Sequence, residues 1–408
     1  MAGNTKHPLF IFQGGGPTAV INATLSGILE KAGDHYSAVY GLKHSLESPL
    51  ADSLMNLTPF SSPEAARPRA LLANTPGAIL GSSRKKIDEA QLQQLLDLMG
   101  EMGASDIIGI GGNGTMSVLS RLTELAQSKG NPLRVVGAPK TVDNDLQGVF
   151  FAPGFGSAAR FVALAVRDCD CDFRAMQTFD DVTILETMGR NSGWIAASSV
   201  LLKENTRAAP HMVLLPERLV DMGHFLDEVA RIHREIGRVF IVTNEMLSDK
   251  EENILGAEFQ DGPKDSLGRP MYSLSTGTGN YLARQINEQL GLQARCLRPG
   301  SLGRAFSSCV SEVDFDLAVR TGHKAIELIR QGETKPKMVS VHADLSLGSL
   351  IISEGCMSKP LPENFLSQTS QFAVSDKFSD AMSKIIGKVE PIWSSPDPQE
   401  QSPYEKCW

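Results

Sequence analysis

The chain has 408 residues, of which 41% are hydrophobic and 21% charged, and carries a formal net charge of -8. That length allows about two domains with sizeable cores. The acidic balance excludes a general binder of nucleic acid or anionic membrane, though it leaves room for a local basic pocket, and no apolar run approaches a membrane span.

In chain order, LFIF (9–12) is strand-like and runs straight into QGGGPT, so it reads as a first strand rather than a signal peptide. The helical pattern AVINATLSGILEKA follows. TPGAILGSSRKK (75–86) is a basic loop carrying Arg84, Lys85 and Lys86, whose residue types alone fit a solvated face. DIIGI (106–110) leads through GGNGT into MSVLSRLTELAQS, and LRVVGA (133–138) leads into PKTVDND. VTILE (182–186) leads through TMGRNS into GWIAASSVLL, and VFIVT (239–243) into NEML. Continuous apolar strands alternating with amphipathic helices predict an α/β fold, doubly wound, with parallel sheet covered on both faces. Ligands of such sheets bind beyond the carboxyl ends of the strands, where these glycine and polar loops lie.

Cys169, Cys171, Cys296, Cys309, Cys356 and Cys407 are scattered, which predicts free thiols in a reducing cytoplasm rather than a disulfide framework. CDC at 169–171 has neither zinc-ligand nor redox spacing. The final stretch EPIWSSPDPQEQSPYEKCW is rich in Pro, Ser and charge and is expected to be poorly ordered.

GIGGNGTM (109–116) contains G-x-G-x-x-G at Gly109, Gly111 and Gly114. A dinucleotide fold also needs an acid at the end of the next strand to hold the ribose hydroxyls. LRVVGAPK offers only Lys140 there. The looser match Gly14-x-Gly16-x-x-Ala19 fails in the same way, because SAVYGLKHS ends without an acid, and no P-loop sequence occurs. What remains is glycine loops at helix N-termini, where backbone N–H groups and the helix dipole favour phosphate. Turns tightened by glycine, with no ligand, are the alternative.

PKTVDND (139–145) puts Lys140, Thr141, Asp143 and Asp145 in one strand-end loop. Asp143 can take the proton of a hydroxyl under phosphorylation, while Lys140 and a Mg²⁺ held by Asp145 balance the charge of the moving phosphoryl group. By spacing alone a solvated acidic turn is the commoner reading. Arg190 in ETMGRNSGW stands at another strand end, where its planar fork can clamp phosphate or simply face water.

GGNGT, PKTVDND, TMGRNSGW and PGSLGR, in this order and spacing, resemble the phosphofructokinase family over residues 8–335. GGGPTAVIN and PGFGSAARFVA (153–163) look most like its pyrophosphate-dependent bacterial branch. The resemblance implies two Rossmann-like α/β/α domains with mostly parallel sheets and the active site between them. Residues 1–157 plus 303–350 would form the phosphoryl-donor domain, 158–302 the sugar domain, and 351–408 a C-terminal extension.

It also implies roles. Asp143 matches the base that activates the sugar 1-hydroxyl, and Thr141 and Asp145 match its neighbours at the transferring phosphate and magnesium. Asn113 stands where many relatives have a magnesium-linked Asp. Gly14, Gly15 and Arg84, with Gly112, Asn113, Gly114 and Thr115, match donor contacts. Met188, Gly189 and Arg190 match the segment at the sugar and transition state, and Glu245 the carboxylate that holds sugar hydroxyls. Arg304 matches an arginine on the 6-phosphate of fructose 6-phosphate, and Arg295 a second one. The implied activity is Mg²⁺-dependent transfer from ATP or pyrophosphate to fructose 6-phosphate, giving fructose 1,6-bisphosphate in cytoplasmic glycolysis. A homodimer or homotetramer, with no nucleic-acid or membrane partner, is implied too. The same chemistry on a different sugar phosphate or an unphosphorylated polyol is one alternative. A non-catalytic regulatory subunit is another, which intact Asp143, Asp145 and Arg190 argue against.

Three positions depart from the family pattern. Pyrophosphate users carry Asp where this chain has Gly114; the glycine opens space for the ATP α-phosphate, although Lys140 is the pyrophosphate users' residue. These local residues lean toward ATP, against the branch resemblance. Asp181, seven residues before Met188, replaces an arginine that many relatives extend to the 6-phosphate. Ser301, three before Arg304, replaces His or Tyr. A carboxylate facing a phosphate is repulsive, so the acceptor site is expected to differ if these positions line it.

Overall fold

A computed structural model describes residues 6–392 apart from Arg84, Pro132, Gln177, 257–276, Glu333 and Thr334. Arg84 and nearly all of the Pro- and Ser-rich tail therefore lie outside the described residues. The strands in chain order are β1 (Leu9–Gln13), β2 (Val39–Leu42), β3 (Leu54–Asn56), β4 (Asp106–Gly111), β5 (Arg134–Pro139) and β6 (Val182–Thr187). They continue with β7 (Met212–Leu214), β8 (Val239–Asn244), β9 (Ala294–Leu297), β10 (Lys337–Val341) and β11 (Leu347–Ile351).

They form two sheets, ordered β11-β10-β5-β4-β1-β2-β3 and β7-β8-β6-β9. Every pairing is parallel except β2–β3 and β10–β11 at the edges of the larger sheet. This is the expected α/β class. Strands β1, β4, β6 and β8 are buried along their whole length, which is why their sequences run apolar without alternation.

This order places the site. Strands β5, β4 and β1 are neighbours and parallel, so their carboxyl ends deliver residues 140–145, 112–115 and 14–16 side by side. Strands β6 and β8 pair from Val182↔Val239 to Thr187↔Asn244, so TMGRNS and Glu245 leave the small sheet together. One apolar cluster spans both sheets, from Phe10 and Phe12 to Phe240 and Val242, through Phe155 and Trp194. The C-terminal extension belongs to this cluster: Phe365 and Phe378 are buried in it, and Trp194 meets Phe365 edge-on at 5.7 Å.

No helix among the described residues is long and apolar enough to cross a membrane. The five described cysteines are free, and Cys407 lies outside the described residues.

Candidate active site

The two glycine loops touch each other. Gly14 N–H donates to Ile110 O at 2.9 Å, bringing the end of β1 against the end of β4. A Cβ on Gly14 would collide with the Thr115 hydroxyl, so only glycine lets the first loop lie on the start of helix Asn113–Ser128. That helix is preceded by Gly112 and no side chain caps it, so its first N–H groups, which have no partner within the helix, take none from a capping side chain. A Cβ on Gly114 would meet nothing within 4 Å. Gly114 is therefore a gap beside the helix start, while Gly14 is a packing necessity.

Lys140 is 1% exposed. Its ammonium donates to Gly14 O at 2.8 Å and Gly16 O at 2.6 Å, so its charge is spent first on shaping the glycine loop. Arg304, expected at a sugar phosphate, also reaches this loop: a Cβ on Gly16 would stand 3.2 Å from Arg304 Nη1.

The acidic loop is a folded unit rather than a solvated turn. Asn113 Nδ2 donates to Asp145 Oδ2 at 2.8 Å, and Thr141 Oγ1 to Asp145 Oδ1 at 3.3 Å. The same Thr141 hydroxyl accepts Asp143 N–H at 3.1 Å. Between the two aspartates Asn144 is fully buried with φ 51°, a left-handed conformation that Asn tolerates better than most residues. It donates to Phe150 O at 2.9 Å and accepts Ala152 N–H at 2.8 Å, closing the loop on itself.

These groups fit a magnesium ion of the kind bound by one carboxylate, substrate oxygens and water. The buried Asn113 Oδ1 has no hydrogen-bond partner beside Asp145, which is the sort of orphan acceptor a cation or its water satisfies. No cluster of three His, Cys, Asp or Glu exists among the described residues, so the protein alone supplies no closed metal cage.

On the small-sheet side Arg190 has φ 51°, a strained value for its residue type and one that backbones keep where surroundings over-determine it. Its N–H donates to Glu245 Oε1 at 3.3 Å. Burial pushes the Glu245 carboxyl above its ordinary range, and the Arg190 charge opposes that rise. The two sides meet at Ser192, whose hydroxyl donates to Asp143 O at 3.3 Å while its own carbonyl accepts from Asn244 Nδ2 at 3.0 Å.

The other expected sugar-phosphate groups are engaged elsewhere. Arg295 on β9 forms an ion pair with Asp180 at 2.6 Å and lies 4.0 Å from Asp172. Asp181 accepts Gln293 N–H at 2.8 Å and sits 3.0 Å from His233 Nε2, so it fastens β9 and helix Met222–Ile236. Ser301 is exposed and precedes the single turn Leu302–Ala305. Met188 is half-buried against the shared core, and Gly189 at φ 140° has no room for a side chain beside Asn244.

Sequence reasoning missed Asn144, Ser192, Glu217 and Lys359. The first two lie inside the PKTVDND and TMGRNS motifs, beside the residues that the sequence does single out. Glu217 Oε1 accepts both Gly193 N–H and Leu361 N–H at 2.8 Å. Lys359 is largely buried beneath the acidic loop, and burial pulls its ammonium down to about 7 against the opposing charge of Asp145. Nothing local marks Glu217 or Lys359; only the fold brings them here.

A sequence profile described as Phosphofructokinase matches residues 9–329. The chain belongs to the phosphofructokinase family. Among its relatives is the pyrophosphate–fructose 6-phosphate 1-phosphotransferase of Xanthomonas campestris pv. campestris, 33% identical over 80% of this chain and 78% of that protein. Another is the sulfofructose kinase of Alkalicoccus urumqiensis, 34% identical over 89% of this chain and 92% of that protein. The crystal structure of a pyrophosphate-dependent phosphofructokinase from Marinobacter aquaeolei superposes with a TM-score of 0.81, at 26% identity over 95% of this chain and 94% of that one.

Proposed function

We propose that this member of the phosphofructokinase family transfers a phosphoryl group from ATP or pyrophosphate to the 1-hydroxyl of fructose 6-phosphate. The observation that carries the reading is the Ser192–Asp143 contact, which joins a base-bearing acidic loop to the Arg190–Glu245 pair across the meeting of two sheets.

In this mechanism Asp143 accepts the 1-hydroxyl proton as that oxygen bonds to the donor's terminal phosphorus and the bridging P–O bond breaks. Glu245 holds sugar hydroxyls. Arg190 and the open N–H groups at the start of helix Asn113–Ser128 balance the phosphoryl charge. Lys140 acts through the glycine loop whose carbonyls it gathers. Asp145 and Asn113 would hold Mg²⁺, which neutralises donor phosphate charge when bound.

A Cβ at Gly114 would meet nothing within 4 Å, which supports open space there for the ATP α-phosphate and no obstruction to pyrophosphate. The test is a coupled assay with Mg²⁺ and fructose 6-phosphate, run with each donor in parallel on the wild type and Gly114→Asp. Turnover is expected with at least one donor. Gly114→Asp is expected to lower kcat/KM for ATP by about 10-fold or more, by placing a carboxylate against phosphate, with pyrophosphate less affected. Silence with both donors would reject the reading.

A second reading rests on the commitment of Arg295 to Asp180 instead of a phosphate. In it the acceptor is sulfofructose, the sugar named for the sulfofructose kinase relative. Sulfofructose as acceptor in the same assay, with a higher kcat/KM than fructose 6-phosphate, would establish it.

A further inference from the structure

The C-terminal extension crosses directly beneath the two loops that carry the proposed chemistry. Residues 357–361 run antiparallel to the acidic loop. Gln147 N–H donates to Met357 O at 3.2 Å, Leu146 bridges Ser358, and Lys359 N–H donates to Asp145 O at 2.7 Å. The Lys359 side chain then turns under the same loop and donates to Val149 O at 2.6 Å and Phe150 O at 3.4 Å. Its ammonium stands 4.6 Å from the centre of the Trp194 ring, within cation–π range, and Trp194 Nε1 donates back to Lys359 O at 3.4 Å. Trp194 follows directly on the Arg190 segment. Two residues beyond Lys359, Leu361 shares the Glu217 carboxylate with Gly193.

Lys359 thus grips the loop of the large sheet with its amine and backbone, and the first residue after the small-sheet loop with its charge and carbonyl. Buried carbonyls such as Val149 O need a donor, and an aromatic face needs a cation to gain from it; one lysine satisfies both, at the seam. A 1 Å error in placing a base or clamp can cost about 100-fold in rate, so a link at this position acts on turnover even without touching a substrate.

We propose that Lys359 is a positioning residue that fixes the Asp143–Asp145 loop relative to the Arg190 loop. The kinetic part of this proposal rests on the phosphotransfer reading above; the mechanical part does not.

The experiment compares Lys359→Met, Lys359→Arg and a control, Lys203→Met, in the full chain. Lys203 is another largely buried lysine, whose amine donates to Pro210 O at 2.6 Å within the small-sheet side alone. Lys359→Met is expected to lose about 10- to 100-fold in kcat while KM for fructose 6-phosphate stays within about 3-fold, because the loops are misaligned rather than removed. Lys359→Arg, which keeps the charge and the donors, is expected to recover most of kcat. Backbone hydrogen exchange should quicken over 141–150 and 188–194 in Lys359→Met and not in Lys203→Met.

Equal losses in the two methionine variants, or exchange that quickens throughout the chain, would overturn the proposal. If Lys359→Met does not fold, Trp194→Phe takes its place: the ring N–H is lost and the cation-binding face shrinks. Its expected result is quickened exchange over both loops with a smaller loss of kcat; unchanged exchange would overturn the proposal. Quickened loop exchange in a protein whose wild type turns over neither donor would support the link and reject the phosphotransfer reading instead.

Discussion

The large-sheet and small-sheet halves of the site use their charges differently. On the large-sheet side the groups within hydrogen-bond reach are mostly backbone. Lys140 bonds two loop carbonyls, the helix at Asn113 starts uncapped, and Thr141 holds an N–H and a carboxylate from its own loop. On the small-sheet side cations are matched to carboxylates far away in sequence. Arg298 Nε donates to Glu186 Oε1 at 2.8 Å across 112 residues, and Arg295 pairs with Asp180. In the first half no side chain caps the N–H groups at the start of the Asn113 helix. The second has already committed much of its positive charge, so what it can recognise depends on which acids surround each arginine.

Three substitutions test that contrast. The largest effect is expected on the large-sheet side, where Asp143→Asn should lower kcat by about 10²- to 10⁴-fold and leave the KM of fructose 6-phosphate within a few-fold. Unaltered turnover in the coupled assay would remove Asp143 from the base role.

An intermediate effect is expected at Glu245. Glu245→Gln should lower kcat/KM for the sugar by about 10- to 100-fold, the scale of one lost hydrogen bond to a charged group. It should also stabilise the fold at pH 7.5. Burial raises the native carboxyl above its unfolded value, so the native state holds that proton more tightly than the unfolded chain does. The carboxyl's contribution to stability is therefore fully present below the unfolded pKa and is lost as pH rises through the native one. The midpoint advantage of Glu245→Gln, followed by thermal unfolding, should shrink as pH falls toward about 4, the ordinary carboxyl range. A variant less stable than wild type at pH 7.5 would mean that its bond with Arg190 outweighs the burial.

The smallest effect is expected at Arg295, which is partly exposed and already paired. Arg295→Ala should change kcat/KM by less than about 3-fold, as for most exposed ion pairs. A loss above about 10-fold would show that Arg295 leaves Asp180 to meet the acceptor, and the contrast between the halves would fail there.

Much of the large-sheet half was legible in the sequence because its parts are local. Apolar runs followed by glycine or acidic loops mark strand ends, and a sheet of neighbouring parallel strands gathers those ends without further instruction. The PKTVDND loop holds its own shape through Thr141, which the sequence singles out, and Asn144, which it does not. The small-sheet half was less legible. The sequence order offers Arg295, Ser301 and Arg304 as a group, yet Arg295 is taken by Asp180 and Arg304 reaches the loop of Gly16.

The sequence by itself determined the α/β class, the family and the strand-end loops, because hydrophobic periodicity and short motifs act over a few residues at a time. Only the tertiary structure decided which charges remain available. It made Gly14 obligatory and Gly114 open, sent Asp181 to fasten β9, and brought Lys359 from the far end of the chain beneath the acidic loop. Charge pairing and burial depend on distance in space, and residues more than a hundred positions apart are placed at that distance by packing alone.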